Sequence, residues 1–307
     1  MSVTVEMGPR GINFFRTVHT GQNGAMHGAL LDDHANRVDA GAKNITTLVG
    51  IIEAPASVAQ RLKKTETAAV VIFDDGPGPR ERERSSGEFK VHPTDVALRR
   101  MVFPGCSTSA DDPTKIGQAG VGTMSFAAAL GDTAIFATHT PETIFTLMVS
   151  LPFNARLAAE GQHAAKLIEL KYDKGSDAWT GDTADFITYG PFNTMAAYLH
   201  LLCGGAPATR VQEGDGPLLK DKGSGGLVTI VCGLSPEVKI DTRKPDLYLP
   251  KASGVFEEQS TSAFLQRSWP HSEPKESAEG AGTASHSQSF SLHLGVLCKP
   301  DSVTALT

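Results

Sequence analysis

Cysteine is scarce in this chain. Four residues in 307 (Cys106, Cys203, Cys232 and Cys298) lie far apart, with no CxxC pair. Such spacing argues against a zinc site built from cysteines and predicts reduced thiols in a cytosolic or nuclear setting. Long apolar runs are also missing: the longest fall far short of the ~20 residues of a spanning helix, so no membrane partner is expected. The opening stretch "MSVTVEMGPRGINFF" has no apolar core behind a basic start, which predicts no secretory signal. Positive charge is in deficit. A formal net charge of −6 excludes coating nucleic acid by bulk charge alone. Basic residues do cluster in "RLKK" (61–64), at Arg80, Arg82 and Arg84, and at Arg99–Arg100. Glu81 and Glu83 alternate with the second group, so its charge is expected to cancel on a solvated face.

What is present suffices for one large domain or two modest ones with a real core. "NGAMHGALLDDHANRV" (23–38) reads as a helix, and "NITTLVGI" (44–51) and "AAVVIFD" (68–74) as core strands. Residues 76–122 turn to glycine, proline, serine and charge. That is long for an ordinary connection and predicts a lid with helix of its own around 94–103. "GTMSFAAALG" (122–131) is a short helix closed by Gly131. "TAIFAT" (133–138) and "TIFTLMVSL" (143–151) form a hairpin around "HTPE", with the Met and Phe residues of 143–153 as strand core. "PFNTMAAYLHLLCGG" is helical to its glycine stop, and "GGLVTIVCGL" (225–234) is a buried strand. "VKIDTRKPDLYLP" follows as an extended segment, 252–288 reads as a flexible Ser- and Gly-rich loop, and "SFSLHLGVL" (289–297) is a last strand.

Three pieces carry chemistry. In "DDHANRVDAGA", Asp32 and Asn36 are four apart, which places both on one helix face. A carboxylate there can take a proton from water, and an amide oxygen one turn on can bind a hard cation such as Mg²⁺; a solvated acidic helix end gives the same letters. In "VVIFDDGPGP", the D-x-G-x-G spacing puts Asp74 at a strand end with Gly76 and Gly78 free of side chains. A fixed acceptor can take a hydrogen bond from an exocyclic amine such as adenine's, while glycines allow close approach; a plain Asx-turn is the alternative. In "GQAGVGTMSF", Gly117, Gly120 and Gly122 precede a helix, and backbone amides at a helix start make a phosphate site. The preceding stretch is loop rather than strand, which rules out a Rossmann motif. His19, His27 and His34 lack accompanying metal ligands and are read as surface or lid-packing residues.

Together and in this order, the pieces resemble the GHKL ATPase superfamily, and within it the MORC family of nuclear ATPases. "LLDDHANRVDAGAKNI" resembles the helix E-L-x-D-N-x-x-D-A-x-A, "VVIFDDGPGP" the D-N-G-x-G-M turn, and "IGQAGVGTMSFAAALGDTAIFAT" the lid, helix and following strand. "GGLVTIVCGLSPEVKIDTRKPDLYL" and "SFSLHLGVLCKP" are similar to its later segments. The resemblance implies an α+β Bergerat-type sandwich: a mixed, mostly antiparallel sheet with helices on one face. It implies an ATP-binding domain over 1–250 with lid 76–122, a loop over 251–288, and the start of a transducer-like domain at 289–307. It further implies Asp32 as general base, Asn36 on Mg²⁺, and ATP held by Asn36, Asp74, Gly76, Gly78, Gly117, Gly120, Gly122 and Thr138. Implied partners are a second copy, in a nucleotide-dependent homodimer, and DNA or chromatin in the nucleus, where such proteins compact or silence it.

The departures from the pattern matter as much. Where the family has Glu, this chain has Asp32, and one methylene less withdraws the carboxylate by ~1.5 Å. A misplacement of ~1 Å can cost on the order of a hundredfold in rate. Ala35 replaces an Asp, and Met124 a phosphate-meeting lysine worth about 1.5–3 kcal/mol. Nucleotide binding is therefore expected ahead of fast hydrolysis, and a nucleotide-sensing scaffold without turnover is the alternative.

Overall fold

The computed structural model describes residues 33–34, 36–38, 40–53, 66–83, 86–102, 123, 127, 130–162, 166–203, 218–219, 224–234 and 291–297. Among the described residues eight strands form one sheet: β1 (Asn44–Glu53), β2 (Glu66–Asp74), β3 (Gly131–His139), β4 (Thr143–Ser150), β5 (Ile168–Asp173), β6 (Ala178–Gly181), β7 (Gly225–Leu234) and β8 (Ser291–Leu297). Their order is β6-β5-β4-β3-β7-β2-β1-β8. Every pairing is antiparallel except β1 with β8, which is parallel. The expected α+β class with a mixed, mostly antiparallel sheet is what is found. β8, within the segment 289–307, lies along the edge of this sheet beside β1.

Four helices are complete among the described residues: α1 (Asp95–Val102), α2 (Leu151–Ala159), α3 (Thr183–Tyr189) and α4 (Met195–Cys203). Each starts at a short polar side chain that accepts from an otherwise orphaned backbone N–H. Thr94 Oγ1 takes Ala97 N (3.1 Å), Ser150 Oγ takes Phe153 N (3.4 Å), Asp182 Oδ1 takes Asp185 N (2.9 Å), and Thr194 Oγ1 takes Ala197 N (3.0 Å). α1 falls inside the segment read as a lid, where helix was expected. Phe153, expected as strand core, lies in the first turn of α2: the strand stops at Ser150, whose hydroxyl caps that helix. Thr123, Ala127 and Leu130 are helical as expected, but Gly131 opens β3 rather than only closing that helix.

Helices cover both faces of the sheet, which corrects the one-sided sandwich. On one face α2, α3 and α4 bring Phe153, Leu157, Phe186, Tyr198 and Leu202 onto Val71, Ile135, Met148 and Ile230. On the other, Val38, Leu98, Val102, Ala127 and Leu130 cover Val70, Ile72, Phe136 and Val231. The physical reason lies in the strands. β2 buries Val70, Val71 and Ile72 in succession, and β3 is buried at all but one position. A strand apolar on both sides needs cover on both sides, since each exposed Val or Ile would forgo about 1.5–3 kcal/mol of burial.

Candidate functional site

The carboxyl end of β2 meets the start of β7, the end of β3 and the helical residues Asp33, His34, Asn36, Arg37 and Val38. Asp74, the last residue of β2, is 8 % exposed. Its Oδ1 accepts from Gly76 N at 2.8 Å, and its Oδ2 from Arg37 Nη1 at 2.6 Å. Arg37 is buried and uses every face of its guanidinium. Nε donates to Asp33 Oδ2 (2.6 Å), Nη2 to Asp33 Oδ1 (3.4 Å) and Thr229 Oγ1 (2.6 Å), and Nη1 also to Leu227 O (2.6 Å). The result is a buried triad of two carboxylates and one cation that ties helix, β2 and β7 together.

Burial acts on its members in opposite senses. For Asp74 it outweighs the nearby guanidinium and the Gly76 amide, so the carboxyl is held above its ordinary value of 3.8. For Arg37 burial alone would lower the value, but Asp33 and Asp74 raise it, and the group stays a cation. Asp75, the next residue, behaves differently. Burial would raise it, but it accepts from Asn44 N (2.8 Å), Asn44 Nδ2 (2.5 Å) and Lys43 N (2.8 Å), which holds it below the ordinary range. Of the two acids in "DDGPG", Asp75 pins the start of β1 and Asp74 faces inward.

The glycines of this turn are packed against protein. A Cβ on Gly76 would sit 2.9 Å from Asp74 Oδ1, and one on Gly78 (φ +70) 2.7 Å from Thr138 Oγ1 and 3.0 Å from Gly226 O. Gly226 N in turn donates to Gly76 O at 2.6 Å. Thr138 is fully buried, and its hydroxyl donates to Gly226 O at 2.7 Å, so it braces the turn. A side chain at 78 would press against the ends of β3 and β7, and one at 76 would displace the Asp74 carboxylate and Ala42.

Asn36 is half-buried, and among the described residues its side-chain amide has no hydrogen-bond partner. It fits the role of a single protein ligand to Mg²⁺, an ion usually held by one or two side chains with waters and phosphates. Among the described residues no group of three His, Cys, Asp or Glu side chains could form a metal cage. His34, read as surface or lid-packing, is buried beside β1, with Nε2 2.9 Å from Thr47 Oγ1. Asp32, Gly117, Gly120, Gly122, His19, His27, Ala35 and Met124 lie outside the described residues.

The structure thus brings Asp74, Gly76, Gly78 and Thr138 to one place next to the helix that carries Asn36. The sequence pointed to neither Arg37 nor Thr229, and to Asp33 only as a fallback for Asp32 rather than as the partner of Arg37. The Asp33–Arg37 spacing of four was a legible signal for an ion pair on one helix face; the contacts to Asp74 and Thr229 had none. An open pocket of about 200 Å³, lined by Asp95, Leu98, Phe145, Glu169 and Lys171, lies elsewhere, over β4 and β5. No protein-family model matches the chain, and comparison with curated proteins finds no significant match.

Proposed function

We propose that this chain is a nucleotide-binding module of GHKL type, similar to the ATPase module of MORC proteins, that binds ATP with Mg²⁺. The observation that carries the reading is the carboxylate of Asp74. The sheet delivers it into a D-x-G-x-G turn, and Arg37 and the Gly76 amide fix its plane. An ionised carboxylate offers about four lone-pair sites, and these two donors use two of them. The remainder suit an exocyclic amine such as that of adenine, and Asn36, on the adjoining helix, suits the metal. Two cores where that architecture implies one leave the GHKL assignment resting on the motifs and their order.

Calorimetry with Mg-ATP tests it. Asp74→Asn keeps the shape but loses acceptor capacity and charge, and most affinity should go with it. Asn36→Ala should weaken only the metal-dependent part. Full ATP affinity in Asp74→Asn would sink the assignment. Turnover is expected to be slow, with Asp32 as general base, and to rise in Asp32→Glu as the reach lengthens. Asp33 is a poor substitute base, because both of its oxygens hold Arg37. Met124→Lys should favour the triphosphate over the diphosphate.

The second reading, a nucleotide-sensing scaffold without turnover, is favoured by Asp32, Ala35 and Met124. Phosphate release measured beside affinity on one sample separates the two: binding without release selects the scaffold. In either case nucleotide binding is coupled to homodimerisation, and the proposed setting is nuclear chromatin. Light scattering should find a monomer without nucleotide and a weak dimer with a non-hydrolysable ATP analogue.

A further inference from the structure

Residues 80–83 and 86–91 pair as two short antiparallel arms whose arrangement the charge count of the sequence misrepresents. Lys90 N donates to Glu81 O (2.8 Å) and Glu83 N to Glu88 O (2.7 Å), and Gly87, at φ +71, donates its N–H to Glu83 O (2.9 Å). Arg82 and Phe89 face each other between those two bonds. They are a non-hydrogen-bonded antiparallel pair, the kind that brings side chains closest. Because side chains alternate along a strand, a sequence alternating Arg and Glu is sorted onto two faces. Arg80 and Arg82 both lie over the Phe89 ring, with their guanidinium carbons 5.5 and 5.9 Å from its centroid. Glu81 turns the other way, to Lys90 Nζ at 2.8 Å. The charges that cancel on paper are segregated in space.

One face therefore carries two guanidiniums and an aromatic ring. Among the described residues neither guanidinium is paired with a carboxylate: Arg82 Nε donates to Gly87 O, and Arg80 Nε is buried with no partner. Phe89 is 47 % exposed and Val91, two residues on, 78 %; they are the exposed large apolar side chains of the described residues. Arginine and aromatic residues are the types that dominate protein–protein contact energies. The two arginines, two residues apart on an extended strand, are spaced about 6.8 Å along it, the same repeat as alternate side chains of a second strand.

We propose that this face docks an extended acidic segment of a partner protein, with carboxylates at alternate positions on Arg80 and Arg82 and an apolar side chain against Phe89. A phosphate backbone matches the guanidiniums but has no use for Phe89 and Val91 as apolar surface. An extended acidic segment with carboxylates at two alternate positions and an apolar side chain at the next alternate position presents all three on one face and uses all of them. The proposal is independent of the nucleotide reading.

Fluorescence anisotropy on the full chain tests it, with a labelled Glu–Leu decapeptide as probe, Ser-Glu-Ser-Glu-Ser-Leu-Ser-Glu-Ser-Leu, whose extended form carries Glu and Leu on one face and Ser on the other. A Lys–Leu decapeptide and a single-stranded DNA oligonucleotide run beside it. The Glu–Leu peptide should bind. Arg80→Glu with Arg82→Glu should weaken it about tenfold or more, and Phe89→Ala several-fold. Raising salt from about 50 to about 500 mM should also weaken it, since these charges are near the surface. Lys90→Ala, on the other face, should leave binding unchanged. If the double variant loses its cooperative melt, the exposed Arg82→Glu alone carries the test. Absence of Glu–Leu binding, equal binding of the Lys–Leu peptide, or indifference to the arginine changes would overturn the proposal. Tighter binding of the oligonucleotide through the same residues would also overturn it and assign the face to nucleic acid.

Discussion

Arg37 and the pair Arg80–Arg82 show the same side chain in opposite circumstances. Arg37 is enclosed, and five hydrogen bonds to Asp33, Asp74, Thr229 and Leu227 O saturate its guanidinium. Arg80 and Arg82 rest on a half-exposed ring with no carboxylate partner among the described residues. Inside, a cation is tolerated only when every donor is satisfied, because desolvation costs several kcal/mol per ion. Outside, water screens the charge and the folded state hardly depends on it. The buried arginine is therefore part of the fold and of the geometry around Asp74, while the half-buried Arg80 and the exposed Arg82 are available to something else.

The largest test of this contrast is Arg37→Met. It leaves Asp33 and Asp74 buried as two carboxylates without a cation, which should cost about 3–5 kcal/mol in urea unfolding. Arg37→Lys keeps the charge but cannot reach all five acceptors, and should fall between wild type and Arg37→Met. A loss below about 1 kcal/mol in Arg37→Met would mean that the triad is not formed in solution.

The pH dependence of Asp74 sharpens the picture of the buried side. Its carboxyl is held above 3.8 chiefly by burial, so the native state keeps this proton to higher pH than the unfolded chain does. Its contribution to stability is then greatest below the ordinary value and declines as pH rises through the raised one. Asp74→Asn removes the decline. The variant should gain on wild type as pH rises from about 4 toward neutral, by at most about 1.4 kcal/mol per pH unit within the window. Should the variant instead lose ground as pH rises, Arg37 outweighs burial, and Asp74 is an ordinary ion-paired carboxylate.

Smaller effects are expected at the neighbouring acid and at the two short arms. Asp75→Ala removes an acceptor from Lys43 N and Asn44 N and should cost about 1 kcal/mol by the same denaturant measurement. It should also spare nucleotide affinity, unlike Asp74→Asn. Arg80→Ala and Arg82→Ala should each change stability by no more than about 0.5 kcal/mol. A loss of several kcal/mol at either position would erase the distinction between the two sets of arginines.

What the sequence determined by itself was local. β-branched runs placed β1, β2, β3, β4 and β7, and a glycine stop placed α4, because backbone preference and capping act within a few residues; the length of the 76–122 connection placed α1. Residues 152–190 held a signal that was passed over: Ile168, Leu170 and Tyr172 point in while Glu169, Lys171 and Asp173 point out along β5. The D-x-G-x-G turn was legible as a place where an acid meets a strand end, although not what that acid would touch. Tertiary structure alone decided that Asp74 meets Arg37, 37 residues away, and that Arg37 meets Thr229, 192 residues away. It also decided that helices lie on both faces of the sheet and that the alternating arginines and glutamates part company. Each of these depends on which strands are neighbours. Strand order arises from burying two apolar faces at once, and no short window of residues encodes that choice.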